Sequence, residues 1–280
     1  MNTIKYAVSI TDESININTP IMLSGPFEEC FRAAAECGYD GVELQIKNPA
    51  TRDAAELCRL KEQYHLEIPC ITTGMEYFGN HLSLISDSPE IQRQAVSRLI
   101  EHIDLARELG SMVLLGSMRG VIDHVSRFKD LENRLLENVQ EVQKAAEERQ
   151  VDVVFEPINL YVINYINSLD EGADFVKRVH SPRFWLMIDT HHMRMHDGDM
   201  YEAILRNREW IRYVHYSDGN RLYPGGGNIN FFQCTRALME TDYQGWITME
   251  CLAQDNGKHC ARKALEYCRG LEDACRAVLA

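Results

Sequence analysis

At 280 residues, with 45% of positions hydrophobic and 25% charged, the chain can bury a large core and needs no disulfide staples. Its 42 acidic against 29 basic side chains leave a net charge of −13. No dense Lys/Arg cluster offsets that charge, which argues against nucleic acid as a partner because phosphate neutralisation dominates such binding.

Nine cysteines without a C-x-x-C pair point to reduced thiols and a cytoplasmic location, not to a disulfide framework. No secretory leader is expected from "MNTIKYAVSITDES", and no apolar run approaches the ~20 residues of a membrane span, so no membrane partner is expected.

Short apolar runs recur from end to end: "IKYAVSI", "YDGVELQI", "EIPCITT", "SMVLLGS", "VDVVFEP", "FWLMIDT", "IRYVHYS" and "WITMEC". Each reads as a strand buried on both faces. Between them lie segments of helical period. Ile91, Ala95, Leu99, Ile103, Ala106 and Leu109 form one stripe; Phe128, Leu131, Leu135, Val142 and Ala146 form another. Punctuation agrees: Ser88-Pro89 opens a helix, Ser168 with Glu171 makes a capping box, and Gly38 and Gly110 fall where helices should stop. Eight strands alternating with eight helices predict an α/β fold, a single parallel (β/α)8 TIM barrel over residues 1–280. A doubly wound open sheet is the competing arrangement.

A barrel collects functional side chains at the C-terminal ends of its strands. The last four runs end in Glu156, Asp189, His215 and Glu250. One acid at a strand end is usually a helix cap or a solvated loop residue; four polar ends in succession are not explained that way. Three carboxylates and an imidazole converging on one mouth would repel one another unless a cation sits between them. Three oxygens and a nitrogen suit Mn2+, Mg2+ or Co2+, with Zn2+ possible. By position alone, Arg119 after the fourth strand and Tyr77 after the third are candidate substrate contacts, although a pair such as Tyr77-Phe78 more often packs a loop. "YPGGGNINF" reads as a tight turn leading to Asn230 as a helix cap, ahead of a phosphate cradle.

That quartet, with "EPINLY", "IDTHH", "HYSDGNR…PGGG" and "ITME" in this order on successive β/α units, resembles the xylose isomerase-like sugar isomerases and epimerases. It is most similar to the D-tagatose (D-psicose) 3-epimerase group. The resemblance implies Glu156, Asp189, His215 and Glu250 as ligands of a divalent metal, most often Mn2+. It implies Glu156 and Glu250 also as the acid/base pair, and His192 and Arg221 as substrate contacts. His191, beside His192, is expected to pack or to make a loop hydrogen bond. The implied reaction inverts C3 of a keto-sugar through a cis-enediolate, by a homodimer or homotetramer acting on a small-molecule substrate.

Aldose–ketose isomerisation on the same site is the alternative. An endonuclease IV-like phosphodiesterase is a distant one, because "ITTG" and "LLGS" bring no histidines. The group's pattern after the fifth strand carries an arginine and a glutamate where this chain has Leu160 and Val162. That departure leaves the metal chemistry in place and opens the substrate to a keto-glycoside or sugar acid.

Overall fold

Eight strands pair in parallel and in chain order: β1 (Lys5–Thr11), β2 (Gly41–Gln45), β3 (Cys70–Thr72), β4 (Met112–Leu115), β5 (Val153–Phe155), β6 (Phe184–Asp189), β7 (Ile211–Tyr216) and β8 (Trp246–Met249). Because β1 also pairs with β8, through Lys5–Trp246 to Val8–Met249, the sheet closes on itself. A closed eight-stranded parallel barrel with surrounding helices results, as the alternating pattern predicts, and the open sheet is excluded. This computed structural model describes residues 4–254 and 256–280.

The outer layer is formed by α1 (Phe27–Cys37), α2 (Ala54–Tyr64), α4 (Pro89–Leu109), α5 (Phe128–Arg149), α6 (Leu169–Val179), α8 (Met200–Asn207), α9 (Phe231–Glu240) and α10 (Gly257–Leu279). Two short helices were not expected from the sequence: α3 (Gly74–Asn80) after β3 and α7 (Thr190–His196) after β6. Both shape the barrel mouth. The predicted caps are in place. Ser88 accepts from the Ile91 N–H, Ser168 and Glu171 form the reciprocal box, and Gly38 and Gly110 close α1 and α4 at positive φ. No disulfide joins any of the nine cysteines. Among the described residues no helix is long and apolar enough to cross a membrane.

Strand side chains alternate between the barrel interior and the helical layer. Cys70, Leu114, Val154, Met187 and Tyr213 form a buried cluster from five successive strands, a plug that fills the barrel's interior. Two residues further along the same strands come Thr72, Gly116, Glu156, Asp189 and His215. The period that puts the plug inside therefore puts these residues inside as well, one layer nearer the mouth.

At the start of α6, the Leu169 N–H donates to Asp197 Oδ1 at 2.8 Å, while Oδ2 is buried without a partner. Burial outweighs that bond and pushes the Asp197 carboxyl from 3.8 up to about 7. The folded state thus holds this proton more tightly than the unfolded chain, and stability falls as pH rises from about 4 to about 7. Asp197→Asn is expected to remove roughly 1–3 kcal/mol of that decline. Urea midpoints at pH 4.5 and 7.5 check it; parallel pH trends in variant and parent would refute it.

Candidate functional site

Glu156, Asp189 and His215 each offer a ligand atom within 4.8 Å of the others, and all three are buried. Glu250 joins them, its Oε2 lying 3.6 Å from His215 Nδ1. The local chain explains each orientation. Asp189 ends β6 and caps α7: Oδ1 accepts from the His191 N–H at 2.8 Å, which leaves Oδ2 to face the site. It is both the helix cap that a lone strand-end acid usually is and a member of the cluster. His215 turns Nε2 to Glu43 Oε2 at 2.7 Å. Its Nδ1 is buried with no hydrogen-bond partner and is aimed at Asp189 and Glu250. Gln45 donates from Nε2 to Glu250 Oε1 at 2.9 Å and is itself held by Thr72 Oγ1 at 2.5 Å.

Arg221 bridges the acids, donating to Asp189 Oδ2 at 2.6 Å and to Glu250 Oε2 at 3.0 Å. Burial favours the neutral form of every carboxyl here, so the neighbours decide the outcome. Arg221, His192 and His215 hold Asp189 below the ordinary carboxylate range, and His215 and Arg221 do the same for Glu250. For Glu156, the pull of His215 and Arg221 does not offset burial and the acidic neighbours. Burial, then the Glu250 and Asp189 charges, raise it to about 8. Burial brings His192 down to about 3. Asn159 Nδ2 lies 2.7 Å from the His192 Nδ1, and the ring's Nε2 lies 3.6 Å from Glu156 Oε1 and 3.4 Å from Arg221 Nη2. His191 turns away to the Asp218 carbonyl, with Nδ1 at 3.2 Å, although it also borders the cavity.

Above the cluster opens a cavity of about 700 Å³ whose inner wall includes Glu156, His192, Arg221 and Glu250. Two candidates read from position alone lie elsewhere. Arg119 is fully buried and does not line the cavity. Its guanidinium donates to the carbonyls of Glu156, Tyr165 and Ile166 and stacks 4.9 Å from the Phe155 ring. It braces the β5 loop, including Ile166 at φ 53°, a costly conformation for a β-branched residue. Tyr77 packs against the core, edge-on to Phe78 at 5.1 Å, and Phe78 takes the cavity side.

The glycine-rich segment is a turn, as expected, and leads to Asn230 capping α9. Its backbone forms an anion nest that the chain fills itself. The Asp218 carboxylate accepts from the N–H groups of Gly219, Gly225, Gly227, Asn228 and Ile229 at 2.7–3.1 Å. No phosphate is called for. At the β3 and β4 ends, Thr72, Gly116 and Ser117 reach the cavity wall, with no histidine among them.

Gly116 leaves room for the acid opposite: a Cβ there would lie 2.6 Å from Glu156 Oε2. Gly116→Ala is therefore expected to displace that carboxylate and lower kcat by roughly 10–100-fold, since misplacement by an ångström costs about that much. Kinetics alongside a thermal melt check it. An intact kcat would mean that the carboxylate can move freely without consequence.

The fold agrees with what similarity to known proteins shows. Residues 31–271 match the family described as xylose isomerase-like TIM barrel. The chain belongs to that family. Within this xylose isomerase-like group, it is 32% identical over 228 residues to D-psicose 3-epimerase of Enterocloster bolteae, spanning 79% of this chain and 75% of that protein. It is 26% identical over 227 residues to L-ribulose 3-epimerase of Methylomonas sp., spanning 79% and 77%. The solved D-allulose 3-epimerase from Methylomonas sp., in complex with D-allulose, superposes with a TM-score of 0.82 at 22% identity, covering 96% of this chain and 98% of that one.

Proposed function

We propose that this chain is a divalent-metal-dependent 3-epimerase that inverts C3 of a keto-sugar or keto-sugar derivative. That it is an enzyme of the isomerase class follows from its relatives, which are named epimerases. The observation that carries the metal is His215 Nδ1, a buried nitrogen without a partner, aimed at carboxylates that would otherwise repel one another. Glu43 on the far nitrogen is the familiar carboxylate brace of a ligating histidine. Glu156, Asp189, His215 and Glu250 would hold the ion, and three hard oxygens with one imidazole suit Mn2+. When bound, such an ion supplies Lewis-acid polarisation of a substrate carbonyl.

The chain's own residues do the rest. Glu156 and Glu250 follow β5 and β8, three strands apart in the closed sheet, and both border the cavity. They approach a substrate from different sides. One can take the C3 proton and the other return a proton to the opposite face, which inverts the carbon with no net proton consumed. The His192 imidazole and the Arg221 guanidinium lie on the same inner wall, placed for charge that develops on the substrate oxygens. Nine cysteines with no disulfide among them suit a reducing compartment, the cytoplasm.

The test is incubation of the Mn2+-loaded protein with D-fructose in D2O, read by NMR. Deuterium at C3 with appearance of the C3 epimer, stopped by a chelator and restored by Mn2+, is the expected result. An aldose product would replace epimerisation by isomerisation, and absence of exchange with D-fructose and with its 6-O-substituted derivatives alike would overturn both.

A further inference from the structure

The cavity is larger than the reaction requires. A free ketohexose has only about a dozen heavy atoms, whereas pockets for drug-sized ligands span roughly 300–1,000 Å³; this one, at about 700 Å³, lies well inside that range. Its outer half is built by the segment after β1, by Lys47 after β2, by α3 and by Val162 after β5. The apolar side chains there are Ile15, Pro20, Ile21, Met75, Phe78 and Val162.

Charge in this half is already cancelled. Lys47 Nζ lies 3.8 Å from Glu13 Oε2, and Arg52 pairs with Glu13 and Asp12 beneath it. The remaining polar liners, Ser14, Asn16, Asn18 and Thr19, are neutral. An anionic substituent would find no uncommitted cation here, and Glu156 and Glu250 lie further in.

The apolar wall is held firmly. Glu76, on the underside of α3, has no exposure. It accepts from Arg98 at 2.8 and 2.9 Å and from Asn80 Nδ2 at 2.7 Å, with His102 Nε2 at 3.2 Å. Arg98 also donates to the Lys47 carbonyl at 3.2 Å, so one buried knot fixes both walls. Above it, Phe78 is left 62% exposed beside the cavity. A rigid helix that keeps an aromatic ring in water forgoes hydrophobic free energy that a ligand covering the ring would recover.

We propose that this outer half is a subsite for an uncharged, apolar substituent, an alkyl or aryl group carried by the keto-sugar at the end remote from its carbonyl. The inference rests on the epimerase reading and names its substrate class: a neutral conjugate, neither a free hexose nor a sugar acid.

The test compares D-fructose bearing 6-O-methyl, 6-O-benzyl or 6-phosphate groups, with Mn2+-loaded protein and C3 exchange in D2O as the readout. The methyl ether controls for loss of the free 6-hydroxyl. The benzyl ether is expected to show kcat/KM about tenfold or more above the methyl ether, the scale of burying a small apolar group, and the phosphate is expected to fall below both. Phe78→Ala, at an exposed position that the fold does not depend on, should bring the benzyl-to-methyl ratio to within about twofold of unity. Equal rates for the two ethers, a preference for the phosphate, or a benzyl advantage that survives in both Phe78→Ala and Met75→Ala would overturn the subsite alone. Loss of C3 exchange with all three compounds would remove the epimerase reading and the subsite with it.

Discussion

Glu156→Gln is expected to lower kcat by roughly 10²–10⁴, the usual worth of a positioned acid or base, while leaving the protein at least as stable as the parent. The substitution keeps the shape of the side chain, which matters because a Cβ on Gly116 would already come within 2.6 Å of Oε2. The loop behind it stays braced, since Arg119 binds the Glu156 carbonyl and not its side chain. What changes is the ability to take up and release a proton, together with the charge offered to a bound ion, so rates are compared at saturating Mn2+. Glutamine also removes a buried group that sits against the Asp189 and Glu250 charges, so the metal-free variant should melt no lower than the parent. The two measurements separate chemistry from folding. A fall in melting temperature matching the fall in rate would mean that Glu156 is structural, and a rate loss below tenfold would remove it from the acid/base pair.

How far the site could be read in the sequence depended on whether a residue's role was local. Glu156, Asp189, His215 and Glu250 each break or end an apolar run, and strand alternation alone carries them to the layer above the plug. Glu43 and Gln45 carry the same signal, two polar residues on one face of "GVELQI". β2 lies outside the last four strands, whose ends carry the quartet, yet Glu43 and Gln45 aim His215 and Glu250. Arg119 and Tyr77 show the opposite error. Their sequence distance from a strand end matches that of a site residue, but the direction of a loop side chain is set by what packs around it. For Arg119 that is the β5 loop, some 40 residues away in the chain. Asn159 orients the His192 ring across the loops after β5 and β6, a pairing with no local trace. The helices α3 and α7 were missed because each is a short run of seven residues, stabilised by tertiary contacts more than by its own propensity.

Asp218→Asn tests the least legible part of the site. The carboxylate has both oxygens committed: Oδ1 to the N–H groups of Gly219, Asn228 and Ile229, Oδ2 to those of Gly225 and Gly227. An asparagine can keep one set of bonds but must turn an amide N–H₂ toward the other, setting donor against donor. Bonds to a charged group are worth about 1.5–3 kcal/mol each and leave unpaired donors when lost. Partial opening of the loop to water offsets some of this, and a loss of roughly 2–4 kcal/mol is expected, or a melting temperature lower by about 3–7 °C. The functional consequence runs through Arg221. It sits at φ 62°, a left-handed conformation that a non-glycine residue adopts only when its surroundings enforce it. Its N–H donates to the Asp218 carbonyl at 2.8 Å, and its own carbonyl accepts from the Leu252 N–H at 2.8 Å. Loosening the nest should release that conformation and with it the bridge to Asp189 and Glu250. kcat/KM should then fall roughly 10–100-fold at temperatures where the variant is fully folded. A lowered melting temperature with undiminished kcat/KM would show that the nest stabilises the loop without positioning Arg221.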